Sequence, residues 1–289
     1  IAYLYEAQKN YDKAASYWDK CYEIVKSSKN FEYPVYLKTL NSLSQISYLK
    51  QEKEKSLLFL LKAKQEAENF YGNKSNFYAK QVAKIGDFYF QNKSFDTAFI
   101  NYKEALDIFV ENKNYYNTEF ISLLLNIAST LQNVGDYTKA LEFYNFSIIY
   151  NTKQDFNINK IEKLLTVKSF VDRKLLMISL LGKINLLVSN QVDLDIEPTK
   201  RFETALKYVF YADTLIDIAY KQIQNDKDKY LIAQQADSLY KYGIRICLSL
   251  YEMNTNSIEK DKYKKLIFYF IEKNKNYILL QTIARSNIS

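Results

Sequence analysis

Ala14, Ser56, Ala98 and Ala140 stand 42 residues apart, and each holds the same place in one repeated pattern. In every copy a bulky residue follows four positions later and another small residue seven later: Ala14/Trp18/Cys21, Ser56/Leu60/Ala63, Ala98/Tyr102/Ala105 and Ala140/Tyr144/Ser147. An (i, i+4, i+7) set lies on one face of a helix, so the small residues admit a neighbouring backbone and the bulky one fills the gap beside it. A short polar turn precedes each anchor, KNYDKA at 9–14, QEKEKS at 51–56, NKSFDTA at 92–98 and VGDYTKA at 134–140. Helix, turn and helix recurring at a fixed period form a unit that cannot bury its apolar face alone. The pattern therefore predicts an all-α solenoid of stacked antiparallel helix pairs.

The rest of the composition agrees. Only 5 Gly and 2 Pro occur in 289 residues, where an average chain carries about 12% of the two together. That excludes collagen-like tracts, flexible linkers and a turn-rich β fold. The 27 Tyr and 18 Phe are the expected filler between helices. The pairs are expected at 1–28, 34–50 with 53–70, 75–91 with 95–112, and 116–133 with 137–152. Beyond 152 the beat fails. A long apolar helix is expected over 160–188, then a polar excursion, NQVDLDIEPTK, and a helix opening near Pro198. There the anchor trio returns as Ala205, Val209 and Ala212, and two last helices follow at 227–254 and 261–284. The chain thus reads as regular repeats over 1–152, a divergent repeat with a loop insertion over 153–225, and a carboxyl-terminal helical pair over 226–289.

These residues resemble the tetratricopeptide repeat. The fourth unit carries Leu124, Ile127, Ala128, Leu131, Gly135, Asp136, Tyr137, Ala140, Tyr144 and Ser147 in family order, and the third Val82, Ile85, Gly86, Tyr89, Phe95, Ala98, Tyr102 and Ala105. The family's usual unit is ~34 residues, so this is a long-helix variety. The first unit opens inside its own first helix at Ile1, which implies sequence upstream. The resemblance implies a right-handed superhelix whose first helices line a concave binding face. A second resemblance covers the carboxyl-terminal part, which is similar to the helical segment preceding the caspase-like domain of CHAT proteins. It rests on Tyr240, Ile244, Leu250, Tyr251, Glu272, Lys273, Lys275, Leu279 and Leu280. It implies a regulatory array followed by a cysteine peptidase domain after Ser289.

The chain has no histidine, which excludes Cys–His dyads, Ser–His–Asp triads and His-based metal sites within it. Cys21 and Cys247 lie far apart along a solenoid and read as small packed residues rather than a disulfide. No Gly-rich phosphate loop is present. No catalytic, cofactor-binding or metal-binding residues are assigned, and no enzymatic activity is expected of this chain. No apolar run of ~18 residues could span a bilayer. A cytoplasmic compartment is favoured, with an extracytoplasmic one left open by the missing start. The net charge of +7 concentrates toward the end, with Lys260, Lys262, Lys264, Lys265, Lys273, Lys275 and Arg285 against Glu259, Asp261 and Glu272. With Arg scarce, this reads as a solvated helix face rather than a nucleic-acid footprint.

What remains is surface. The family's groove positions fall on Lys38, Asn41, Gln45 and Tyr48, on Lys80, Lys84, Asp87 and Phe90, and on Ser122, Asn126, Ser129, Gln132 and Asn133. Amides of this kind pair with a peptide backbone and lysines with carboxylates, so the expected partner is a protein or peptide. The set departs from the carboxylate clamp of chaperone-binding members. Ile267, Phe270, Ile271, Ile278 and Leu279 exceed what one neighbouring helix needs and are expected to dock a downstream domain. Other readings are a structural adaptor in a larger assembly and the peptide-sensing half of a transcriptional regulator.

Overall fold

A computed structural model describes residues 1–27, 33–153, 169–189, 196–223 and 225–288, and among them every regular element is a helix. The chain divides into two compact units, Ile1–Tyr115 and Tyr116–Ser289. This division is one of packing, whereas the sequence boundaries at 152 and 225 mark where the repeat pattern changes. The first unit holds α1 (Ala2–Ala7), α2 (Tyr11–Ser27), α3 (Tyr33–Leu49), α4 (Lys53–Tyr71), α5 (Asn76–Gln91) and α6 (Phe95–Glu111). The second holds α7 (Thr118–Asn133), α8 (Tyr137–Thr152), α9 (Arg173–Val188), α10 (Pro198–Gln222), α11 (Asp226–Met253) and α12 (Ser257–Ile288).

The 42-residue beat is visible in the backbone itself. Lys9, Gln51, Lys93 and Gly135 all adopt the left-handed conformation, with φ of 58°, 66°, 61° and 85°. Each ends the first helix of a pair. The following amide then reaches back five residues, Asn10 to Tyr5, Glu52 to Ser47, Ser94 to Tyr89 and Asp136 to Leu131, at 2.8–2.9 Å. This is the Schellman closure, which satisfies carbonyls the helix end would leave unpaired. Only one of the four positions is glycine, so three side chains bear the steric cost of the left-handed region. Lys93→Gly should therefore raise stability by about 0.5–1 kcal/mol, read as a higher midpoint in urea. A lower midpoint would mean that the left-handed turn is absent.

The anchors are where the pairs close. Ala14, Ser56, Ala98 and Ala140 are all buried, and so are Trp18, Leu60, Tyr102 and Tyr144 four residues on. Of the third position, Ala63, Ala105 and Ser147 are buried, while Cys21 is only half-buried. The rings need glycine opposite them. A Cβ on Gly86 would stand 2.6 Å from the Tyr102 ring, and one on Gly182 2.3 Å from the Tyr144 ring. Helix starts are capped by side chains that accept an N–H three residues on: Ser75 from Tyr78, Asn117 from Phe120, and Asp136 from Lys139. Such caps are typically worth ~1 kcal/mol each.

Two expected boundaries are corrected. The helix expected over 160–188 starts only at Arg173, and 160–168 lies outside the described residues. Asn151 of α8 prevents an earlier start within the described chain. Its Oδ1 accepts the amides of Val171 and Asp172, both at 3.0 Å, and its Nδ2 donates to the Asp172 carbonyl at 2.8 Å. Asp172 then caps α9 by accepting the Leu175 amide at 2.8 Å. The last helix starts at Ser257, four residues before the expected 261, because the Asn256 side chain accepts the Ile258 amide at 2.8 Å. The insertion centred on 190–195 lies outside the described residues.

The expectation of five docking residues on α12 is also corrected in part. Phe270 is fully buried, its ring lying over Gly243 of α11 and stacked with Tyr240. It serves the chain's own core. Ile267 and Ile271 are half-buried, while Ile278 and Leu279 are exposed, beside the equally exposed Phe268 and Ile283. Phe270 and Tyr277, seven apart, share the buried face of the helix, while Phe268 and Leu279 lie on its far side.

Candidate functional site

In the first unit α3, α4 and α5 enclose a cleft of about 70 Å³. Five of the residues assigned from the groove pattern line it: Asn41, Gln45 and Tyr48 from α3, and Lys84 and Asp87 from α5. Positions 41, 45 and 48 are spaced i, i+4, i+7, which puts them on one helix face, and 84 and 87 meet them from the next first helix. Sequence reasoning missed Ser44, Ser56, Leu60, Phe88 and Gln91, which complete the walls. Ser56 had a signal, since it stands where other units have alanine. Its hydroxyl lies 2.9 Å from that of Ser44 in the buried floor.

The polar groups in the cleft are unevenly committed. Asn41 donates through Nδ2 to Gln81 at 2.9 Å, but its buried Oδ1 has no hydrogen-bond partner. A buried acceptor left unpaired costs ~1–3 kcal/mol, so a donor supplied from outside would be favoured there. Asp87 accepts the Tyr102 hydroxyl at 2.8 Å. Burial, together with this carboxylate, holds the Tyr102 phenol far above its ordinary range, so it remains a donor. Gln45 and Lys84 are exposed, and among the described residues neither makes an ion pair or a side-chain hydrogen bond. The cleft thus offers an unpaired acceptor, an amide and a cation in a space far below the ~300–1,000 Å³ of small-molecule sites. That space suits one or two side chains of a longer ligand.

The other assigned positions are placed differently. Lys38 lies over the Tyr3 ring and Lys80 over the Phe77 ring, at 5.2 and 5.8 Å. Phe90 packs edge-on against Phe95 of α6. None of the three lines the cleft, and each has an aromatic ring beside it. Ser122, Asn126, Ser129, Gln132 and Asn133 belong to α7 of the second unit. There Gln132 accepts the Tyr144 hydroxyl at 3.0 Å, and Asn133 donates to the Ser129 carbonyl at 2.8 Å. Gln132 is thus tied to the α7–α8 packing.

Other chemistry is sparse. Burial pushes the Cys247 thiol up to about 12, so it stays protonated and unreactive. Among the described residues no group of His, Cys, Asp and Glu side chains could hold a metal ion, and no helix is long and apolar enough to cross a membrane.

No family model matches the chain, and no curated protein matches it in sequence. Solved structures do match. BtubC (BKLC) from P. vanneervenii is 13% identical, with a TM-score of 0.59 over 78% of this chain and 80% of that one. A putative kinesin light chain with nearly identical TPR-like repeats, from Podosopora anserina, is 11% identical, with a TM-score of 0.52 over 77% and 94%. The apo form of RapI is 14% identical, with a TM-score of 0.50 over 96% and 82%. At such identities the likeness is one of fold, and the fold it shows is the helical, TPR-like solenoid.

Proposed function

We propose that the chain is a non-catalytic module that binds a protein or peptide segment through the α3–α5 cleft. The observation that carries this reading is the unpaired Asn41 Oδ1 beside the uncommitted Gln45 and Lys84. An extended segment would present a backbone N–H to Asn41 and an acidic group to Lys84. Peptides selected on the wild-type chain from a displayed library should bind a Lys84→Glu/Gln45→Ala variant at least tenfold more weakly. They should bind Ile100→Glu, altered at an exposed position on α6, with unchanged affinity. Equal loss in both variants, or loss only in Ile100→Glu, would overturn the assignment.

The finer reading is that this module is the regulatory array of a TPR–CHAT-like protein. Its support is the residue pattern from Tyr240 to Leu280 together with the apolar side chains that α12 leaves exposed, Phe268, Ile278 and Leu279 among them. It requires a His- and Cys-bearing peptidase domain in the same polypeptide, which sequencing of the transcript past the Ser289 codon would reveal.

A further inference from the structure

The second unit contains a larger cleft that the groove pattern does not touch. One wall is α9, through Arg173, Lys174 and Leu181; the other is α11, through Leu231, Gln234 and Ser238, with Ile223 closing one end. The spacing explains the walls. Residues 231, 234 and 238 lie at i, i+3, i+7 on one face of α11, and 174 and 181 lie seven apart on α9. The cleft measures about 510 Å³, within the ~300–1,000 Å³ of small-molecule sites.

Among the residues that line it, the buried side-chain polar atom without a partner is cationic. Nη1 of Arg173 is buried and has no hydrogen-bond partner. Burial lowers the Arg173 pKa, while Asp172 and Asp228 work against that shift, and a guanidinium stays protonated in any protein environment. A buried charged donor is satisfied best by an anion, most strongly by a carboxylate or phosphate. Arg173 and Lys174 set two cations in the lining against one anion, Asp228, a balance that suits a monoanion better than a dianion. Leu181, Ile223, Leu231 and Ile232 give the rest of the lining an aliphatic side. From Arg173 to Leu181 the helix rises about 12 Å, the length of an extended acid of about eight carbons.

We infer that the cleft between α9 and α11 binds an aliphatic monocarboxylate, with its carboxylate on Arg173 and its tail along Leu181 and Leu231. The site is separate from the α3–α5 cleft and independent of what that cleft binds. Isothermal titration of the purified chain with octanoate, octanamide and acetyl-leucyl-leucine tests it. Octanoate should bind with one-to-one stoichiometry, and octanamide at least tenfold more weakly. Arg173→Gln should weaken octanoate at least tenfold. Leu231→Glu, at an exposed position where the fold tolerates charge, should abolish binding by placing a like charge beside the tail and carboxylate. Equal affinity for octanoate and octanamide would overturn the inference. So would wild-type affinity in Leu231→Glu, or binding of acetyl-leucyl-leucine without octanoate.

Discussion

Asp213→Ala should cost the second unit about 3–5 kcal/mol, the range for removing one partner of a buried charged network. Asp213 of α10 is buried. It accepts the hydroxyls of Tyr240 from α11 and Tyr269 from α12, both at 2.6 Å, and stands 3.2 Å from the ammonium of Lys273 of α12. One carboxylate thus ties three helices. Burial and then the bond to Asp213 push the Tyr269 phenol up to about 12 and the Tyr240 phenol higher still, so both remain donors at neutral pH. Alanine would leave two phenols without their acceptor and Lys273 with only Asp217, 2.6 Å away. Asp213→Asn keeps the shape and one acceptor and should cost less. Urea unfolding followed by far-ultraviolet circular dichroism measures both. A loss below about 1 kcal/mol for alanine, the scale of an exposed pair, would mean the network is solvated.

Lys183→Met should stabilise the second unit at pH 7 by about 3 kcal/mol, within the range for replacing buried charge by apolar volume. Lys183 is a lysine inside an apolar helix, α9, and it is buried. Its amine donates to the Tyr208 hydroxyl and lies 3.9 Å from that ring's centroid. Burial lowers its pKa from 10.5 to about 7. In the unfolded chain the amine holds its proton up to about pH 10.4, so between about 7 and 10 the unfolded state binds more protons than the folded one. Stability therefore rises with pH across that window, and the cost of the buried charge is fully present below pH 7. The wild-type chain should gain about 2 kcal/mol from pH 7 to pH 9, and Lys183→Met should lose that slope. A wild-type slope retained in the methionine variant would place the titration elsewhere.

Much of the fold was legible because its signal is periodic. A 42-residue spacing of small and bulky residues survives wide variation at every other position, and the structure buries all four anchors. The turns were legible as polar breaks, yet their left-handed residue was recognisable only at Gly135. At Lys9, Gln51 and Lys93 the residue type gives no hint of the backbone it adopts. The start of α9 was misplaced for a related reason. Helical periodicity cannot show that a side chain from α8, Asn151, takes up the backbone of Val171 and Asp172 and keeps those two residues out of the helix.

The candidate sites show the same limit more sharply. Five of the eight groove positions assigned in the first unit do meet in one cleft, because helical spacing fixes which residues share a face. Spacing cannot say which polar atoms are already paired. Lys38 and Lys80 cannot be told from Lys84 by sequence, yet the first two lie over rings while Lys84 faces the cleft. Phe270 looked surplus until the shape of α11 at Gly243 made room for it.

The sequence by itself determined the class of the fold, the repeat length, the helix pairs of the regular region and the absence of histidine chemistry from this chain. All of these depend on residue identity and on periodicity along one helix, which local sterics and burial impose wherever the chain goes. The tertiary structure alone decided that Asp213 bridges three helices, that Lys183 is enclosed, and that Asn41 and Arg173 each keep a buried polar atom without a partner. These properties depend on groups brought together from distant parts of the sequence. Desolvation and hydrogen-bond satisfaction are sums over such neighbours, and no single helix carries them.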